Sequence, residues 1–107
     1  MLNTKIEDIS SDVDIKQGYT VLRQGAFNDI RTILYTAPYD CIIDAFAAVN
    51  DGLKYFTFTG VDTAPNIGAR AINAHFKLAA GGKIDLWTQA ETAKVVNLYY
   101  SIKATKV

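Results

Sequence analysis

The chain has 107 residues, 50% of them hydrophobic and 11% aromatic, so its length suits one small folded domain and its composition excludes a disordered chain. Eleven Lys and Arg residues balance eleven Asp and Glu residues, which excludes the basic excess that nucleic-acid-binding proteins use against phosphates. No apolar stretch approaches the roughly 20 residues of a membrane-spanning helix, and residues 1–14 lack the basic start and apolar run of a secretion signal. We therefore expect a protein that is made in a cytoplasm and binds neither nucleic acid nor membrane.

The first part of the chain, residues 1–18, is predicted to be an N-terminal arm or a first strand. Residues 2–9 fit either a helical turn or an extended arm, and both alternatives stay open. A weak strand is predicted at 13–16, and alternating apolar residues predict clearer strands at 19–23 and 31–36.

The next predicted strand, residues 41–49, is unusual because both of its faces are largely apolar. The residues of one face are Cys41, Ile43, Ala45, Ala47 and Val49. The opposite face has Ile42, Phe46 and Ala48, interrupted by Asp44. An Asn-Asp-Gly turn at 50–52 then leads to an aromatic strand predicted at 54–61.

The last part of the chain contains the clearest hairpin. Alternating strands are predicted at 71–79 and 83–89, and the sequence AAGG between them supplies the glycines that suit a tight turn. The final strand, 94–103, again has apolar residues on both faces. Eight short strands without a convincing helical period predict an all-β sandwich or barrel, built as a small single domain.

Residue types suited to catalysis or metal binding are scarce. The single cysteine, Cys41, is expected to be a buried thiol, whereas the single histidine, His75, lies on the polar face of its strand. Zinc needs more His or Cys ligands than one chain holds, although three copies of His75 could meet on a symmetry axis. Trp87 with Tyr99 or Tyr55 could stack a sugar, but such aromatic pairs also stabilise sheets. Since predicted turns explain most acidic residues, we expect no enzyme activity, no metal and no cofactor.

The apolar second faces predict that the protein associates with itself. In a two-layer sandwich each sheet exposes one face to solvent, so a strand that is apolar on both faces needs a third layer. Because no helix is predicted, a second copy of the chain is the expected cover, and a curled barrel with a thick interior is the alternative. Burying Ile42 and Phe46 would stabilise the assembly by about 2 kcal/mol each. The predicted oligomer interface consists of Ile42, Phe46, Ala48, Val95 and Tyr99.

Three stretches between residues 31 and 103 carry a resemblance to a known family: LYTAPYDCIIDAFAAVNDGLKYFTFTGV, FKLAAGGKIDLW and VVNLYYSIKA. In these stretches the chain resembles the small jelly-roll heads related to the tumour necrosis factor and complement globular-head families, which occur in phage fibres and virion surface proteins. It departs from their pattern at Cys41 and at Gly81-Gly82-Lys83, where a glycine and Gly-Asp are common. The resemblance implies an eight-stranded antiparallel jelly-roll sandwich over residues 19–107. It also implies a homotrimer with aromatic strands near the threefold axis.

The leading hypothesis for function is a structural virion protein of a bacteriophage. It would be a trimeric capsid decoration or accessory protein that binds the particle surface, because the chain has no fibre shaft and no catalytic constellation. Its partners would be copies of itself and phage capsid or tail proteins. The alternative is a receptor-binding head of a phage fibre or baseplate that recognises a host-surface saccharide or protein. A bacterial surface or carbohydrate-binding module is a third class.

Counting strand reversals places the candidate contact surfaces. If eight strands alternate in direction, the loops at 24–30, 50–53 and 80–82 share one end with both termini, and those at 37–40, 62–70 and 90–93 share the other. The 62–70 loop is long, and long loops are more often functional. The candidate partner-contact residues in that loop are Asp62, Thr63, Asn66 and Arg70. In a decoration protein the arm at 1–18 would carry the capsid contact instead.

Overall fold

The computed structural model describes residues 12–59 and 70–107, and within them the chain forms seven β-strands and no helix that is long and apolar enough to cross a membrane. The strands are β1 (Val13–Gln24), β2 (Ile30–Thr36), β3 (Cys41–Val49), β4 (Tyr55–Thr59), β5 (Ala71–Leu78), β6 (Lys83–Gln89) and β7 (Lys94–Lys106). The prediction of an all-β domain is therefore confirmed.

The strands form two antiparallel sheets, one with the order β1-β7-β3-β5 and one with the order β2-β6-β4. In the four-stranded sheet, β7 pairs with β1 from Val13↔Thr105 to Gln24↔Lys94, and it pairs with β3 on its other side. Because side chains alternate between the faces of a strand, this register gives the sheet one inner face and one outer face.

The core lies between the two sheets. The four-stranded sheet contributes fully buried side chains such as Ile43, Leu98 and Ile102, and the three-stranded sheet contributes Phe56, Phe58 and Leu86. Together they belong to one hydrophobic cluster. Cys41, Ile43, Ala45, Ala47 and Val49 are all buried, which confirms the predicted inner face of β3.

The prediction of eight strands is wrong within the described residues, because the segments predicted at 13–16 and 19–23 form one continuous strand. The expected break lay at residues 17–18, which include a glycine, a residue type that weakens strand interiors. A Cβ atom at Gly18 would lie only 3.0 Å from the Tyr100 hydroxyl, so the glycine makes room for a ring on the neighbouring strand. Small differences at other strand ends do not change the order of the elements.

The predicted grouping of loops is correct for 80–82 and 90–93 relative to the chain ends, and it is wrong for 24–30, 37–40 and 50–53. Ala26 bridges Ala90, so the connections after β1 and after β6 lie at one end, which we call the far end. The amide of Ala37 donates to the Gly82 carbonyl, which places the connections after β2 and β5 together at the opposite end. The described chain ends lie there too, since the amide of Val107 donates to the Asp40 carbonyl.

Two features of the topology explain this difference. The continuous β1 removes one reversal of the chain. In addition, β4 and β5 run in the same direction, since Tyr55 pairs with Gln89 at the far end and Ala71 pairs with Ala48 at that same end. β4 and β5 therefore point the same way, which returns the 80–82 and 90–93 loops to their predicted ends relative to the chain ends.

Candidate functional site

The outer face of the four-stranded sheet brings together the side chains of all five predicted interface residues. Alternation along β3 and β7 places Ile42, Phe46, Ala48, Val95 and Tyr99 on this face. Phe46 is 37% exposed and Val95 is 56% exposed, while Ile42, Ala48 and Tyr99 are half-buried. The structure thus shows a shared surface, and its coverage by a second copy stays a prediction.

Three aromatic rings form a cluster on this outer face. The Tyr19 and Tyr99 ring centroids lie 4.9 Å apart, and those of Phe46 and Tyr99 lie 6.2 Å apart. The cluster exists because Tyr19 pairs directly with Tyr99 in the register of β1 and β7. The Tyr99 hydroxyl donates a hydrogen bond of 3.1 Å to Gln17 Oε1, which helps to fix the central ring.

Strand β1 also contributes to this surface, which was not predicted from the sequence. Tyr19 is 81% exposed, and Ile15 and Val21, on the same face of the strand, are 59% and 49% exposed. Their alternation with Thr20 and Leu22 was visible in the sequence, but the pairing of β1 with β7 was not. The apolar surface is consequently wider than the predicted interface, and contiguous exposed apolar surface of this kind marks interaction sites.

A polar area adjoins the aromatic cluster. His75 Nδ1 lies 2.5 Å from Asp44 Oδ1, and these side chains are 70% and 55% exposed. Lys103 pairs with Asp44 in the adjacent strand. These residues and Phe46 border a depression of about 510 Å³ whose lining also includes Asn73 and Ser101.

The outer face of the three-stranded sheet carries a second group of aromatic and cationic side chains. The Trp87 ring stacks on Tyr55 with centroids 4.9 Å apart, and Arg31 Cζ lies 4.9 Å from the Trp87 ring centroid. Since β6 lies between β2 and β4, these two contacts come from different neighbouring strands. Trp87 is thus paired with Tyr55 rather than Tyr99, and both contacts cover part of its ring, which argues against a sugar platform on Trp87.

Arg70 is the one candidate partner-contact residue that lies within the described part of the chain. Its Nη2 atom lies 4.0 Å from Asp51 Oδ1 at the far end, and its side chain is 68% exposed. Asp51 also contacts Lys94, whose hydrogen bond and positive charge lower the pKa of the Asp51 carboxyl. Asp62, Thr63 and Asn66 lie outside the described residues. Arg70 is therefore placed away from the described chain ends, as predicted for its loop.

The thiol of Cys41 is poorly suited to act as a nucleophile. Its side chain is buried, and burial, followed by the nearby Asp40 charge, raises the pKa of the thiol. Cys41 points into the core, whereas His75 is on the outer face of the same sheet, so the two do not form a catalytic pair. In the part of the chain that the structure describes, no three His, Cys, Asp or Glu side chains cluster in a way that could hold a metal ion.

Comparisons with known proteins do not assign a family. No family model matches the chain, and no curated protein matches it significantly. One similar solved structure is that of Bacillus endospore appendages, described as a novel family of disulfide-linked pili, with 14% identity, 89% of each chain covered and a TM-score of 0.40. Another is a proposed mannose-6-phosphate isomerase from Ralstonia eutropha JMP134, with 15% identity, a TM-score of 0.40, and 91% of this chain and 77% of that chain covered. Likenesses of this size say nothing about the activity of this chain.

Proposed function

We propose that this chain is a structural protein that assembles with copies of itself, as a homotrimer, through the outer face of its four-stranded sheet. The observation that supports this most strongly is the exposed cluster of Tyr19, Tyr99 and Phe46. Aromatic side chains are enriched at the centres of protein interfaces, where they contribute much of the binding energy. Valine and isoleucine side chains of β1 and β7 extend the apolar surface around them.

The size of this face is compatible with a weak assembly. Four strands spaced about 4.8 Å apart and about nine residues long, at about 3.3 Å per residue, cover roughly 600 Å². In a trimer that covers the whole face of each chain, this gives roughly 600 Å² for each contact between two chains, below the roughly 1,200 Å² of stable protein interfaces. Each large apolar side chain that becomes buried contributes about 2 kcal/mol. A weak association, strengthened by ring closure, is the expected result.

The proposed fold is a jelly roll, as the sequence resemblance implies. Its support is the order β1-β7-β3-β5 beside β2-β6-β4. Within the described residues, this is the order of seven of the eight strands of a jelly roll. A jelly roll also explains why β1 and β7, at opposite ends of the sequence, are paired along their whole length.

The proposed place of the protein is the surface of a bacteriophage particle, as a capsid decoration or accessory protein. This part of the proposal rests on the resemblance to virion surface heads and on the neutral net charge of the chain. Residues 13–18 belong to β1 rather than to an arm. Both described chain ends lie at the end opposite the far end, so a capsid contact made by the chain ends would lie on that side of the domain. Quantifying the protein in purified particles tests the assignment: many copies support decoration, and absence from particles contradicts it.

Self-association itself is tested by comparing two matched substitutions. Phe46→Asp places a charge in the centre of the proposed interface, where an unpaired buried charge is strongly unfavourable. Ile33→Asp places the same charge at a 55% exposed isoleucine on the outer face of the other sheet. Light scattering should show the wild type and Ile33→Asp as trimers and Phe46→Asp as a monomer. If Phe46→Asp remains trimeric, this face is not the interface.

A receptor-binding head is the second candidate, and one feature of the far end favours it. Phe27 is 59% exposed and has a φ of 58°, a conformation that bulky residues rarely adopt and that often marks functional sites. Lys54 Nζ lies 5.0 Å from the Phe27 ring and 5.3 Å from the Tyr55 ring. Binding of the protein to host cells that is lost on Phe27→Ala would support this candidate, and equal binding by both forms would contradict it.

A further inference from the structure

We infer that Tyr19 of one copy inserts into the depression beside Phe46 of a neighbouring copy, where its hydroxyl bonds to the Asp44–His75 pair. This inference rests on the proposed self-association and specifies its central contact. Tyr19 is the protruding group and the depression beside Phe46 is the recess, and the two lie on different parts of the same outer face.

Tyr19 has the properties of a protruding anchor. It is 81% exposed, the highest value among the exposed large hydrophobic side chains of the described residues. Its ring also lies against Tyr99 at a centroid distance of 4.9 Å, so part of its conformational freedom is already restricted. A rigid aromatic side chain loses little entropy when a partner covers it, which is why tyrosine is frequent among the strongest interface contacts.

The depression has matching chemistry. One side is formed by the apolar ring of Phe46, and the small side chain of Ser101 leaves space beside it. The opposite side carries Asp44 and His75, which are held together at 2.5 Å. A buried tyrosine needs a hydrogen-bond partner for its hydroxyl, and the carboxylate of Asp44 can accept that bond. A volume of about 510 Å³ is ample for one aromatic side chain.

The register shows why the occupant must come from a second copy. Tyr19 lies on the edge strand β1. The depression lies over β3, β5 and β7, around Phe46 and Asp44. With strands about 4.8 Å apart and residues about 3.3 Å apart along each strand, the two positions are separated by roughly 15 Å. Tyr19 therefore cannot reach the depression of its own chain.

The same separation allows the contact to repeat in a closed assembly. If a threefold axis relates the copies, Tyr19 of each chain fills the depression of the next, and the ring closes after three contacts. If a twofold axis relates them, two copies exchange their tyrosines reciprocally. The contact is thus compatible with the proposed trimer, and an experiment can distinguish the two symmetries.

Cross-linking between chains tests the contact directly. In a Cys41→Ala background, a chain with Val21→Cys is mixed with a chain with Asn73→Cys and treated with a short bis-maleimide. Val21 is 49% exposed and lies two residues from Tyr19 on the same face, so the tyrosine is kept. We expect a cross-linked dimer in the mixture and none above background when Ile33→Cys replaces Val21→Cys. A single chain that carries both Val21→Cys and Asn73→Cys should form covalent trimers if the symmetry is threefold. Its products should stop at dimers if the symmetry is twofold.

The affinity of the full chain provides a second measure. Tyr19→Ser should weaken self-association at least about 30-fold, as expected for a central tyrosine. Tyr19→Phe should weaken it less, because the ring stays while the hydroxyl is lost. If the wild type associates but the 21–73 cross-link does not exceed the 33–73 control, or Tyr19→Ser associates normally, the inference is wrong and the proposed function stands. A wild type that is monomeric at all concentrations overturns both.

Discussion

The hydroxyl of Tyr35 donates a hydrogen bond of 2.8 Å to Asp14 Oδ2, and this bond joins the two sheets. Tyr35 belongs to β2 in the three-stranded sheet, and Asp14 belongs to β1 in the four-stranded sheet. A register shift between Ile33 and Tyr35 makes Leu34 and Tyr35 both buried, although they are consecutive. The irregularity in β2 thus directs the Tyr35 ring inward, toward the carboxylate.

Removing the Tyr35 hydroxyl should destabilise the domain. Tyr35→Phe keeps the ring but deprives Asp14 of its donor, and hydrogen bonds to charged groups contribute about 1.5–3 kcal/mol. We expect a loss of about 1–2 kcal/mol in the free energy of unfolding, measured by urea denaturation. Tyr55→Phe, which removes a hydroxyl on the outer face of the same sheet, should change it by less than about 0.5 kcal/mol. Equal effects of the two substitutions would show that the Tyr35–Asp14 bond contributes little.

The stability of the protein should fall at alkaline pH because of Tyr35. Burial, followed by the bond to Asp14, raises the pKa of Tyr35 well above its ordinary value of 10.0. The folded state therefore holds this proton more tightly than the unfolded state, so the stabilisation is complete below about pH 10 and is lost as the pH rises further. Unfolding followed at increasing pH should show this loss in the wild type and a smaller one in Tyr35→Phe. A wild-type stability that is constant above pH 10 would contradict the assignment.

The thiol of Cys41 should react slowly in the native protein. It is 1% exposed, and burial raises its pKa, which lowers the fraction of reactive thiolate. A thiol reagent should modify wild-type Cys41 rapidly only in denaturant. In a Cys41→Ala background, Thr36→Cys places a thiol at an exposed position of β2 and should react rapidly without denaturant. Rapid native labelling of Cys41 would mean that β3 has the opposite face toward the core.

Two phenylalanines in different surroundings test the position of the core. Phe58 is 0% exposed, and Phe58→Ala should destabilise the domain by about 3–5 kcal/mol through the cavity it leaves. Phe27 is 59% exposed, and Phe27→Ala removes the same atoms but loses little more than its contact with Lys54, a change of about 1 kcal/mol or less. Thermal or urea unfolding of both variants measures the difference. Comparable losses would place Phe58 outside the main core.

Local patterns predicted much of this fold. The alternation in residues 41–49 correctly gave the buried face of β3, because a period of two residues is fixed by strand geometry alone. The hairpin around Gly81 was also predictable, since Gly81 has a φ of 83° that other residues rarely adopt. The interface candidates Phe46 and Tyr99 followed from the same alternation, and the structure places their rings 6.2 Å apart.

Long-range pairing could not be predicted in the same way. The contact between Tyr19 and Tyr99 depends on β1 and β7 meeting from opposite ends of the sequence, and nothing local in either strand specifies its partner. The role of Gly18 inside the continuous β1 also depends on the Tyr100 hydroxyl, which approaches from the neighbouring strand. The shift that turns Tyr35 inward likewise depends on the pairing of β2 with β6.

The molar mass of the wild-type protein in solution tests the proposed self-association most directly. Sedimentation equilibrium over a range of micromolar concentrations should give about 35 kDa, three times the 11.7 kDa of one chain. The fraction of trimer should fall on dilution, because contacts of roughly 600 Å² each are below the size of stable interfaces. A mass of 11.7 kDa that does not change with concentration would contradict assembly through the outer face of the four-stranded sheet.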